Sequence, residues 1–151
     1  MPQDPQRWSI RARSTGAREV SVYARNHVFK AGAATSLHEK DDAPSGLELL
    51  LGAFAAELIH SLRAQASHRR VTVHEAEASL FAELHHPLVQ LGVIGERGDA
   101  GLSAVGGTVY VSADGPEAAL DEAWAETLQR SVFHQTLRKT AAVSLRLERS
   151  P

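Results

Sequence analysis

The 151-residue chain contains no cysteine. That absence excludes disulfides, thiolate catalysis, sulfur-ligated zinc and iron–sulfur clusters. It leaves the cellular compartment open, because an intracellular protein can do without thiols. Charge of one sign is also lacking. The formal net charge is −2, which gives no electrostatic footprint for nucleic acid. No run is long and apolar enough to span a bilayer. The most apolar stretch, Leu47 to Leu62, contains Glu48, Glu57 and His60, whereas a spanning helix needs about 20 mostly uncharged residues. The polar start, with Asp4, Arg7, Arg11 and Arg13, has no signal-peptide apolar core. These readings predict a cytoplasmic protein with neither nucleic-acid nor membrane partners. Repeats, low-complexity tracts and Pro/Gly/Ser linkers are missing too, so residues 1–151 read as a single domain.

What is present is a 43% hydrophobic composition, enough for a packed core. A domain of this length buries roughly two-thirds of its unfolded surface and needs no staple. Between Arg7 and Arg13, Trp8, Ile10 and Ala12 alternate with polar residues, the period of a half-buried strand. Thr15-Gly16 signals a turn, Val20, Val22 and Ala24 predict a second strand, and His27 to Lys30 a short third. Gly32 to Pro44 reads as polar loop. Ser45 and Glu48 then have the spacing of a capping box, with Asp41 and Asp42 just ahead, where negative charge suits a helix N-terminus. The helix that follows is apolar on almost every face through Leu62 and must be covered on several sides. Arg63, His68, Arg69 and Arg70 gather at its C-terminal end.

Val71 to Leu84 alternates but changes phase between Val73 and Ala76, which one long strand with a bulge explains. His85-His86-Pro87 interrupts it, and Gly95 to Gly101 is a turn-rich loop. A strand over Thr108 to Ala113 precedes a helix that opens at Asp114-Gly115-Pro116-Glu117. A shorter helix from Ser131 to Lys139 and a last strand with Val143, Leu145 and Leu147 inward complete the order β-β-β-α-β-β-α-α-β, an α+β fold. Trp8 and Trp124 are expected to anchor the core or an interface.

The run from Pro44 to Glu57, PSGLELLLGAFAAE, resembles the central-helix motif of the OsmC/Ohr family, the osmotically induced and organic-hydroperoxide-resistance proteins. Arg130 to Leu137, RSVFHQTL, resembles the family's second motif, and Gly101-Leu102 falls at its glycine turn. The resemblance spans about residues 7 to 148. It implies an intertwined homodimer with central helices buried within mixed sheets and two sites at the dimer interface. It also implies a stress-related role.

Family peroxidases use one cysteine on the central helix and a second that resolves the sulfenic acid. Glu57 stands at the first of these positions and Ser131 at the second. Neither side chain can form a sulfenic acid, so hydroperoxide reduction by the family mechanism is excluded. Gly46 replaces the proline before the helix, and Leu47 stands where many members have a glutamate. The resemblance does not assign the family's arginine among Arg11, Arg13, Arg18 and Arg25.

Two classes of function follow. In the first, a non-peroxidatic homodimer keeps the fold and takes up a small, largely apolar ligand at the interface, with no cofactor. Here Glu57 pairs with an arginine, Ser131 caps the last helix, and His60 and His134 are polar rim residues. In the second, a Glu/His/Ser cluster does chemistry. Glu57 and His60, three apart on one helix, would ligate a metal. Alternatively Ser131 would act as nucleophile, His60 or His134 as base and Glu57 as its orienter.

Overall fold

The computed structural model describes residues 6–14, 16, 19–33 and 42–150. The Thr15-Gly16 turn falls partly outside these residues, as does most of the loop before the central helix. Arg18, His38 and Asp41 lie wholly outside. The chain divides into two compact units, Met1–Leu50 and Leu51–Pro151.

In the first unit, β1 (Arg11–Arg13), β2 (Val20–Ala24) and β3 (His27–Ala31) form an antiparallel sheet in chain order. The first strand is shorter than the alternation from Trp8 suggested, and it is exposed rather than half-buried. Trp8 is itself 82% exposed, so it anchors no core within one chain. The Arg11 guanidinium lies 4.5 Å from the centre of the Tyr23 ring on the neighbouring strand, in register with it. Lys30 Nζ meets Glu19 Oε1 at 2.7 Å, and this hydrogen bond, with the glutamate's charge, raises the lysine pKa above its ordinary value.

Helix α1 (Gly46–His68) begins as its capping box requires. The Ser45 N–H donates to Glu48 Oε2 at 2.7 Å and the Glu48 N–H donates to Ser45 Oγ at 3.2 Å. Its other end closes through two backbone bonds, from Val71 N–H to Ala66 O (2.9 Å) and from Arg70 N–H to Ser67 O (3.1 Å). This is a Schellman closure, and it puts Arg70 at a left-handed φ of 58°. Arg63 leaves the helix end and donates to the carbonyls of Val73 and His74.

The second unit holds a mixed sheet in the order β4-β5-β6. Strand β4 (Thr72–Leu84) pairs antiparallel with β5 (Leu102–Asp114), and β5 pairs parallel with β6 (Ala142–Arg149). A parallel neighbour needs a crossover, and helices α3 (Glu117–Arg130) and α4 (Val132–Leu137) provide it. The shift of register between Val73 and Glu75 is the bulge that the phase change predicted. Two features differ from expectation. A four-residue helix α2 (Pro87–Gln90) follows His85-His86, and β5 starts six residues before Thr108. The core is built from Phe54, Leu58, Leu62 and Ala66 on α1, Val105, Val109 and Val111 on β5, and Leu120 and Ala123 on α3.

Candidate functional site

The site forms where α3 gives way to α4. Ser131 belongs to both ends. Its N–H closes the last turn of α3 on Thr127 O at 3.0 Å, and its extended backbone (φ −68°, ψ 121°) turns the chain into α4. The Ser131 carbonyl then accepts the first bond of α4, from Gln135 N–H at 3.0 Å. A helix start leaves its first N–H groups without internal partners, and here side chains take three of them. Glu57, half-buried on α1, accepts from Val132 N–H through Oε1 (2.8 Å) and from Phe133 N–H through Oε2 (3.4 Å). Ser131 Oγ accepts from His134 N–H at 3.0 Å and sends its own proton to Glu57 Oε2.

Negative charge at this position also suits the partial positive charge of the helix start. The last carbonyls of α3 are served from the other side. Leu128 O accepts from Gln135 Nε2 at 3.0 Å and from His134 Nδ1 at 3.1 Å. A carbonyl only accepts, so Nδ1 carries the hydrogen, and in the neutral ring Nε2 keeps its lone pair. Beside the carboxylate, the Phe54 and Phe133 rings meet with centroids 5.7 Å apart.

Glu57, Ser131 and His134 are thus brought together, although His134 takes part through its backbone. Its ring points to Leu128 O. His60 is exposed and bonds to none of the three. Ser131 caps α4, and at 1% exposure its hydroxyl is already used both as donor and as acceptor. Within Leu51–Pro151 no described arginine pairs with Glu57, whose carboxylate is met by backbone N–H groups and the Ser131 hydroxyl. Among the described residues no three His, Asp or Glu side chains converge as a metal ion would need. Sequence reasoning missed the Val132 and Phe133 N–H groups, which no side-chain pattern announces. It also missed Gln135, whose nearness to His134 was the available signal.

Comparison with known proteins gives the family and the fold. The family model of the OsmC-like protein matches residues 39–146, from just before α1 into β6. The chain belongs to the OsmC-like protein family. Solved structures share the fold of this OsmC-like protein at low identity. An OsmC-like protein from Mycoplasma pneumoniae superposes with a TM-score of 0.79 at 14% identity, covering 97% of this chain and 99% of that one. An organic hydroperoxide resistance protein OsmC from Legionella pneumophila gives 0.67 at 14% identity, covering 97% and 99%. An organic hydroperoxide resistance protein from Elizabethkingia anophelis gives 0.70 at 16%, covering 96% and 99%. No curated protein matches the sequence. The resemblance of the central-helix run therefore holds at the level of family and α+β fold, and this OsmC-like protein has no cysteine for a thiol reaction. No described helix is long and apolar enough to cross a membrane.

Proposed function

We propose that this chain is a non-peroxidatic, homodimeric OsmC-like domain of the cytoplasm that takes up a small, largely apolar ligand beside α4, in a stress-related role. The observation that carries the reading is the use made of Glu57. Its carboxylate is committed to the Val132 and Phe133 N–H groups and to the Ser131 hydroxyl, so the position that would hold a reactive sulfur braces a helix. Apolar side chains stand next to it. Val132 is 70% exposed, and Phe133 lies half-buried against Phe54.

A serine hydrolase has less support. Ser131 Oγ hydrogen-bonds a carboxylate and a backbone N–H rather than the imidazole of a Ser-His pair, and at 1% exposure it offers a substrate no approach. The homodimer draws support from α1. Only the stripe Phe54, Leu58, Leu62 and Ala66 is buried, while Gly52, Ala53 and Ala56, in the turns before the exposed His60 and Arg63, leave small residues bare where a second helix would come close.

Thermal melting in the presence of medium-chain alcohols tests the binding. A saturable rise in Tm that Val132→Lys abolishes is the expected result, together with no consumption of cumene hydroperoxide by protein and dithiol. No rise in Tm removes ligand uptake, and peroxide turnover removes the whole reading.

A further inference from the structure

We infer that the outer face of the β4-β5-β6 sheet is a docking surface for an extended, arginine- or lysine-rich segment of another protein. The register defines this face. Glu75, Glu77, Ser79, Phe81 and Glu83 on β4 stand opposite Ser112, Tyr110, Thr108, Gly106 and Ala104 on β5. Ser144, Arg146 and Glu148 on β6 continue the rows of Gly106, Thr108 and Tyr110. The opposite face carries Ala78, Leu80, Val105, Val109 and Leu145 into the core, so these residues are the solvent side of a sheet covered on one face only.

Three properties of the face point to a cationic, extended partner. The first is charge. Four glutamates stand against one arginine, a more negative balance than the −2 of the entire chain. All four glutamates are exposed, and none has a hydrogen bond or ion pair among the described residues. The second is exposed aromatic surface between the carboxylates. Phe81 is 51% and Tyr110 39% exposed, and the Phe81 ring lies over Gly106, where a Cβ would sit 2.7 Å from it. Guanidinium and ammonium groups are attracted to such ring faces, as Arg11 over Tyr23 illustrates in the first unit. The third is Thr108. It is 6% exposed at the centre of the face and has no hydrogen-bond partner among the described residues. It stands between Ser79 on β4 and Arg146 on β6, so a polar side chain without a partner lies in the middle row of this face. Alternate residues on a strand recur about every 6.7 Å, the same repeat as alternate side chains of an extended peptide.

Fluorescence anisotropy with a fluorescein-labelled peptide of alternating arginine and threonine tests the inference on the full chain. Expected is saturable binding that weakens as salt rises. Glu77→Lys combined with Glu148→Lys should reduce affinity at least about tenfold, and Phe81→Ser with Tyr110→Ser should reduce it without changing charge. Glu75→Lys with Glu83→Lys serves in place of any pair that unfolds the protein. Reversal of Glu117 and Asp121, exposed on α3, should leave binding unchanged. Equal loss in this control, or no saturable binding, overturns the inference. A fall in oligomeric state caused by the Phe81/Tyr110 pair also overturns it, since the face would then be covered by a second copy.

Discussion

At the residue scale, Glu57 is where the sequence invites chemistry and the structure provides mechanics. A glutamate at the former cysteine position, three residues from a histidine, reads as a ligand or an acid–base group. The groups that decide its role are backbone N–H donors 75 and 76 residues further along the chain. A backbone donor has no side-chain signature, so this pairing was not legible. The serine was more legible, because serine before a helical run is a common N-cap, and Ser131 occupies that place. If Glu57 is a brace, its removal should appear in stability. Hydrogen bonds to a charged group contribute about 1.5–3 kcal/mol, so Glu57→Ala should destabilise by roughly that amount, and Glu57→Gln, which keeps an acceptor, by less. Ser131→Ala should cost about 1 kcal/mol, and the double variant should fall short of the sum, because the two side chains bond each other. Urea unfolding measures all four values. A Glu57→Ala loss below about 0.5 kcal/mol, the ordinary range for surface changes, would show that the carboxylate braces nothing.

At the element scale, the parts governed by local chemistry were legible and those governed by cross-strand contact were not. The capping box at Ser45 and Glu48 and the bulge near His74 follow from spacing and phase, and both are present. The start of β5 was hidden by Gly106-Gly107, a pair that ordinarily reads as a break in a strand. Here the glycines are what lets the strand continue. Phe81 lies over the first, and at the second a Cβ would fall 2.1 Å from the Ser79 carbonyl oxygen on β4, at a φ of 148°. Helix α2 was missed because it is a single turn around Pro87. Strand β1 was read too long because alternation records a pattern and not the presence of a cover. Left-handed geometry yields a paired prediction of opposite sign. Gly107→Ala meets backbone rather than a movable side chain and should cost about 3 kcal/mol or more, seen as a lower urea midpoint or loss of soluble protein. Arg70→Gly relieves a left-handed residue in the Schellman closure of α1 and should gain up to about 1 kcal/mol. A neutral Gly107→Ala would mean that β4 and β5 do not approach as closely at this point.

At the scale of the whole molecule, the decisive residue is one that α1 leaves bare. A helix rich in leucine and alanine was expected to need cover on several sides, and one chain covers a single stripe of it. Along the bare side of α1 in the second unit, the first exposed residues, Gly52, Ala53 and Ala56, are all small, before His60 and Arg63 follow on the same side. Small side chains on an exposed helix gain little from solvent but permit a second helix to approach within the 8–10 Å typical of packed pairs. A large charged group there has little effect on an isolated chain, since alanine and arginine both favour helix. At a helix–helix contact the same group would be buried without a partner, at a cost of several kcal/mol. Ala56→Arg therefore separates the two cases. If two copies meet along α1, sedimentation of the parent should give a dimer and Ala56→Arg should shift it to monomer, with helix content by circular dichroism largely kept. A parent that sediments as a monomer at all accessible concentrations refutes the dimer. A dimer that survives Ala56→Arg places its interface elsewhere, and the small-residue face of α1 would then be ordinary solvated surface.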